Sequence, residues 1–339
     1  MSEIDQVLDA ARALRDAGQP MALATVVSVR GSSYRRPGAR LLVPADGPPV
    51  GLISGGCLED EAARLAREAI ELDAPVMVTI DHSAEGDELW GMGLGCRGII
   101  DLLAEPPSMA AETIAALESA RTEGQPTYLL TGLDGSRRTL TQVEADALGE
   151  RAALAVAHGR PTVIGDSVLD PILPPLQLVI CGAGPDAAPL AAAGLRQGWR
   201  VDVVDPRRPF LRPERFSGVR LLDAVPEEAA DATAAGEWTA VVVMSHDYVR
   251  DAAFVRSFMG RRVAYLGILG PRDRTERLLA ELPAAPSEDD RRHIHAPAGL
   301  DIGADGSEQV ATSIVAEILA VVHGRTGVPL RERPGPIHG

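Results

Sequence analysis

The sequence predicts an α/β protein of two parts. An N-terminal α/β domain with its linker covers residues 1–170, and a C-terminal Rossmann domain with a doubly wound parallel sheet covers 176–330. Three observations predict this. The run Leu178-Val-Ile-Cys-Gly-Ala-Gly184 is an apolar strand leading into a glycine turn. From Gln177 onward, strand and helix patterns alternate, which implies a parallel sheet covered on both faces. Hydrophobic residues make up 45% of the 339 positions but aromatics only 3%, so the cores are Ala, Val, Leu and Ile. Such cores suit parallel α/β layers better than an aromatic-rich sandwich.

The elements follow in order. Ile4, Val7, Leu8, Ala11 and Leu14 recur at helical spacing, and Gly18 closes that helix. Strands are predicted over 22–29, 39–43 and 50–53, with a turn-rich loop at Gly31–Gly38 and a break at Ser54-Gly-Gly56. Leu58 to Leu72 reads as a helix, with Glu59, Asp60 and Glu61 in the first turn, where the helix dipole favours acids. A strand over 76–80 precedes a second glycine loop, Gly91-Met-Gly-Leu-Gly-Cys-Arg-Gly98, and a strand over 99–103 follows. Pro106-Pro107 ends that unit; then come a helix near 110–121 and a strand near 127–130. Residues 151–175 are weakly patterned, and Asp170-Pro-Ile-Leu-Pro-Pro175 is the linker candidate. Beyond it the pattern gives strands at 178–181, 200–204, 240–244 and 262–266, a helix at 187–197, and an amphipathic helix over 307–322.

The formal charge is −15, and all 33 basic residues are Arg. Such a chain is a poor general binder of nucleic acid or of anionic membrane. Cys57, Cys96 and Cys181 form neither a disulfide framework nor a zinc knuckle. With no basic-then-apolar leader and no apolar run approaching ~18 residues, the expectation is a cytoplasmic protein.

Gly182-Ala-Gly184-Pro-Asp-Ala187 fits the G-x-G-x-x-A fingerprint, and Asp205 lies 23 positions beyond Gly182. In a dinucleotide site the glycines admit the pyrophosphate and the acid binds a ribose hydroxyl. Two residues oppose that reading. Asp186 stands where a phosphate would sit and is expected to satisfy the free N–H groups of the helix end, and Pro189 removes an N–H from the opening helix. His246 follows a later strand, where it is an acid/base or phosphate contact or else a hydrogen-bonded loop histidine. His293 and His295 would share one strand face, without a third metal ligand.

In the first half, no Asp or Glu occurs between Ala17 and Ala45, yet Arg30, Arg35, Arg36 and Arg40 cluster there. This local reversal of charge suggests a phosphate site, with the turn at Gly38, since guanidinium forks match phosphate oxygens. Gly55-Gly56-Cys57 ahead of a helix adds bare N–H groups and a thiol inclined to ionise. Cys96 sits in the second glycine loop. Both thiols are candidates to carry or ligate something soft.

Gly31-Ser-Ser-Tyr-Arg-Arg-Pro-Gly-Ala-Arg40, Gly55-Gly-Cys-Leu-Glu59 and Gly93-Leu-Gly-Cys-Arg-Gly98 resemble the XdhC/CoxI family of molybdenum-enzyme accessory proteins. So do Cys181-Gly-Ala-Gly184, Val204-Asp-Pro-Arg207, Ser245-His246, Tyr265–Gly270, Pro297–Ala304 and Ser313–Glu317. The resemblance implies an XdhC/CoxI-type first domain and a chaperone for molybdenum cofactor (molybdopterin), held as cargo. It implies support of sulfuration by a cysteine desulfurase and delivery to a xanthine dehydrogenase-type apoenzyme. The candidate cofactor-binding residues are Arg35, Arg36, Gly38, Gly55, Gly56, Gly182, Gly184, Asp205 and His246, with molybdenum arriving only in the cargo. Two departures stand out. Arg97 replaces a glycine of the second loop, and Pro185-Asp186 replaces the histidine usual after the Rossmann turn. An NAD(P)-dependent oxidoreductase is the alternative from the Gly182 turn, and a non-catalytic homodimeric docking module is a third.

Overall fold

A computed structural model describes residues 2–31, 35–56, 58–81, 98–283 and 285–332. It divides the chain into two compact units, one built on Ser2–Pro174 and the other on Pro175–Pro329.

In the first unit, α1 (Glu3–Asp16) starts at a capping box formed by Ser2 and Asp5. Strands β1 (Met21–Gly31), β2 (Arg40–Pro44), β3 (Val50–Gly51), β4 (Val76–Asp81) and β5 (Gly98–Glu105) form a sheet in the order β3-β2-β1-β5-β4. Every pairing in it is antiparallel. Alternation along β1 explains why the sheet carries helices on both faces. Ala22, Ala24 and Val26 pack against α2 (Glu59–Leu72), while Met21 and Leu23 pack against α1 and α3 (Pro107–Glu123). Pro106 and Pro107 therefore start a helix rather than end a unit: Pro107 takes the first helical position, where its missing N–H would be unpaired anyway.

A second antiparallel sheet follows. It is built from β6 (Thr127–Gly132), β7 (Arg137–Leu140), β8 (Thr162–Ile164) and β9 (Ser167–Ile172), in the order β7-β6-β9-β8. Between β7 and β8 lie α4 (Gln142–Asp146) and α5 (Glu150–His158). The expected linker at Asp170 is thus corrected: Asp170, Pro171 and Ile172 belong to β9, paired with β6. Pro171 is tolerated because the pairing with β8 ends at Leu169, leaving that edge open. The parallel arrangement expected from composition belongs to the second unit alone.

That second unit carries β10 (Gln177–Cys181), β11 (Arg200–Val204), β12 (Arg220–Leu222), β13 (Thr239–Val243), β14 (Tyr265–Ile268) and β15 (Ile294–His295). They line up as β12-β11-β10-β13-β14-β15, all parallel. This is the doubly wound Rossmann order, with its switch point between β10 and β13. Helices α6 (Ala187–Arg196) and α11 (Ser307–Val322) cover one face through Leu190, Ala191, Ile314 and Ile318. On the other face α7 (Ala229–Thr233), α8 (Tyr248–Phe258) and α9 (Arg272–Ala280) bury Ala230, Phe254, Phe258 and Leu278. His293 closes the short helix α10 (Glu288–His293) while His295 lies in β15, so the two histidines do not share a strand.

Candidate functional site

Two groups of predicted residues are brought together, one in each unit. In the second, the loops at the carboxyl ends of β10, β11 and β13 converge. Gly182 has φ +112°, and a Cβ there would stand 2.5 Å from the Ser245 Cα. Glycine is required because the backbone after β13 passes directly over the turn. A Cβ on Gly184 would meet the His246 ring at 3.5 Å, so His246 lies over the second glycine. His246 itself is held at φ +58°, unusual for a side chain of its size.

Asp205 faces inward. Its Oδ2 accepts from the Ala183 N–H (2.7 Å) and Arg207 Nη2 (2.7 Å), and its Oδ1 from the Arg207 N–H (2.8 Å) and Nε (2.9 Å). Four donors fill the capacity of a carboxylate. Burial works to raise the Asp205 carboxyl, but the hydrogen bonds from Arg207 and Ala183 outweigh it and hold the group below its ordinary range. The acid expected to bind a ribose is instead the clamp of the glycine turn. Arg215, which no motif marks, donates to the carbonyls of Ala183 (3.1 Å) and Gly184 (2.8 Å) and holds the turn from the other side. A second clamp joins the next two loops. Buried Asp251 accepts from the Ser245 N–H (3.0 Å) and from Arg274 Nη2 (2.6 Å).

Asp186 departs from expectation. Its side chain makes no capping hydrogen bond to α6. Oδ2 instead meets His246 Nε2 at 3.1 Å, and Oδ1 accepts from the Ser307 hydroxyl at the start of α11. Pro189 costs nothing, because it is the third residue of α6, where N–H groups lack helical partners. The Cys181 thiol is buried at the end of β10. Burial first, then Asp251 and Asp205, push it well above its ordinary value, so it is not a thiolate.

In the first unit the four arginines divide. Arg40 is buried and bonded to Thr25 Oγ1 (3.0 Å) and Asp170 Oδ2 (2.7 Å), tying β2 to β9. Arg30 turns to Asp101 at 3.3 Å. Arg35 and Arg36 line a cleft of about 390 Å³, together with Glu3, Ile4, Val7 and the segment from Pro37 to Arg40. Arg35 pairs with Glu3 and donates from Nε to the Leu52 carbonyl at 3.2 Å, which joins the arginine loop to the segment entering Gly55-Gly56. Gly38 (φ +98°) closes the turn, its N–H donating to Val26 at 2.8 Å.

Ahead of α2 the N–H groups of Ile53, Ser54, Gly56 and Leu58 are engaged. Glu59 reaches back to accept from the N–H groups of Ser54 (2.9 Å), Leu58 (3.2 Å) and Ile53 (3.3 Å). The Ser54 hydroxyl accepts from those of Gly56 (3.1 Å) and Leu58 (3.0 Å). Burial tends to raise the Glu59 carboxyl, yet the bonds from Ser54, and then from the chain around Leu58, bring it below its usual value. Glu59 thus engages the backbone leading into α2, while the first turn of the helix itself carries no side-chain cap. Gly56 (φ +106°) opens to space. Cys57 and Cys96 lie outside the described residues. Among the described residues, no three His, Cys, Asp or Glu side chains are grouped to hold a metal ion, and no helix is long and apolar enough to cross a membrane.

Both units have counterparts among known proteins. Residues 178–318 match the model of the XdhC Rossmann domain, and residues 14–81 match that of the XdhC and CoxI family. A Bacillus subtilis protein, named as a probable subunit of xanthine dehydrogenase, is 30% identical over 338 residues, which span 94% of this chain and 97% of that one. The molybdenum cofactor insertion chaperone PaoD of Escherichia coli is 25% identical over 313 residues, covering 90% of this chain and 84% of its own. A crystal structure described as a xanthine dehydrogenase from Bacillus halodurans is similar at TM-score 0.74, with 27% identity and 98% of both chains covered. With both halves matched and a relative aligned along nearly all its length, the chain belongs to the XdhC and CoxI family.

Proposed function

We propose that this protein is an accessory protein that binds molybdenum cofactor and assists its sulfuration and insertion into a xanthine dehydrogenase-type apoenzyme. A cysteine desulfurase supplies the sulfur. The observation that carries the reading is the cleft at Arg35 and Arg36, on a chain whose relatives include a molybdenum cofactor insertion chaperone. Its volume of about 390 Å³ lies within the range of small-molecule sites. Two guanidinium groups suit a phosphate, and Ile4, Val7 and Pro37 offer an apolar wall to a flat ring. The bond from Arg35 to Leu52 supports a site continuous with the Gly55-Gly56 loop. Cys57, the next residue, is the thiol assigned to sulfur or metal handling, with Cys96 as the second. The competing NAD(P)-dependent reading is disfavoured by Asp205, whose oxygens are all engaged.

The test is retention of cargo. Purified from cells that make the cofactor, the protein is expected to carry molybdenum, measured by elemental analysis, and pterin, measured by fluorescence after oxidation. Arg35→Glu with Arg36→Glu is expected to lower both about tenfold or more, since each substitution turns a phosphate contact into a repulsion. Cofactor-free wild-type protein from such cells refutes the proposal. Cys57→Ser is expected to preserve the fold and impair transfer to the apoenzyme; unchanged transfer removes Cys57 from the mechanism.

A further inference from the structure

We infer that Asp186 is a specificity-determining residue that closes the Rossmann crevice of the second unit to diphosphates. The crevice has the fold of a dinucleotide site: the parallel order with its switch point at β10 and β13, and the glycine turn at Gly182. A bound diphosphate would have to approach Gly184 and the start of α6. The His246 ring already lies over Gly184, 3.5 Å from where a Cβ would stand. His246 is fixed in that place by Asp186, 3.1 Å away, and Asp186 is fixed in turn by the Ser307 hydroxyl. Three loops thus meet on one carboxylate, at the position where a diphosphate would bring two more negative charges.

A carboxylate that merely capped α6 could rotate away and release its N–H groups to an incoming anion. This one makes no such cap, and it leaves only by giving up bonds to both His246 and Ser307. The ribose end offers no compensation, because Asp205 spends its oxygens on Ala183 and Arg207. Charge, occupancy and the lost ribose contact all act against the same ligand class.

The test is calorimetric titration of the full chain with NAD⁺ and with CDP as diphosphate probes. Wild type and Asp186→Glu, which keeps the charge, are expected to bind both no tighter than about 1 mM. Asp186→Asn and Asp186→Ser, each checked for an unchanged melting profile, are expected to bind about tenfold tighter or more, because one like charge is removed from a partly shielded site. His246→Ala in the Asp186→Ser background is expected to tighten binding further. Wild-type binding in the low micromolar range overturns the inference, as do neutral variants that bind no better than wild type. No molybdenum is used, so the result stands apart from cofactor retention, and each proposal can fail without the other.

Discussion

At the scale of single residues, the chemistry turns on carboxylates that serve the protein's own backbone. Asp205 sits at the expected place, 23 positions beyond Gly182. Its partner Arg207 stands two residues on in the same motif, whereas Arg215, which braces the same turn through the Gly184 carbonyl, lies 31 residues from Gly184 and belongs to no motif. Glu59 is similar: the sequence marks it as a first-turn acid, but only the fold bends it back onto Ser54. A consequence for pH follows. The folded-state carboxyl of Asp205 lies below its ordinary value, so its stabilisation is complete at neutral pH. It is lost as the pH falls from the unfolded-state value, near 3.9, through the folded one. Asp205→Asn is therefore expected to cost roughly 1–3 kcal/mol near pH 7, the range for stranding buried hydrogen-bond partners. The difference from wild type should shrink on acidification, as read in urea melts from pH 7 to pH ~3. A constant difference across that range shows that the charge of Asp205 contributes nothing.

At the scale of elements, legibility followed burial pattern. The Rossmann strands β10 and β11 and the helix α11 stand where apolar runs and helical spacing place them, because the strands bury apolar side chains on both faces and the helix along one. The stretch 151–175 was opaque for a physical reason. Its short strand β8 carries mixed residues, and β9 contains Asp170 and Pro171, which read as a turn until Arg40 and β6 are seen beside them. Arg40 resembles a ligand contact for the converse reason, since its counter-ion lies 130 residues away. The Arg40–Asp170 pair is buried, and the second oxygen of Asp170 has no hydrogen-bond partner. Removing one partner leaves a buried charge unpaired, so Asp170→Leu alone is expected to cost about 3–5 kcal/mol. Arg40→Met combined with Asp170→Leu should recover most of that loss. Denaturant unfolding of the two variants decides; a double variant no better than the single one means that the pair is not a self-contained unit. Gly182→Ala is expected to cost about 2 kcal/mol or more, from its positive φ and from the approach of the Ser245 backbone to 2.5 Å.

At the scale of the whole molecule, each cluster of buried apolar side chains among the described residues is drawn from one unit. Leu178, Ile180, Val242 and Ile314 belong to one such cluster, and Ala24, Leu41, Leu65 and Leu102 to another. Sheet pairing obeys the same division: the two antiparallel sheets lie wholly before Pro174 and the parallel sheet wholly after it. Cooperativity arises where burial is shared, so the natural unfolding bodies are the two units. Differential scanning calorimetry is expected to resolve two transitions. The Asp170→Leu substitution should lower one and leave the other in place, and Gly182→Ala should do the reverse. For units of about 150–175 residues, a loss of 2 kcal/mol corresponds to a fall of roughly 4–8 °C in the affected midpoint. A single transition that both substitutions lower, each in proportion to its cost, would mean that the units unfold as one body, and the stability of the glycine turn would then depend on the Arg40–Asp170 pair.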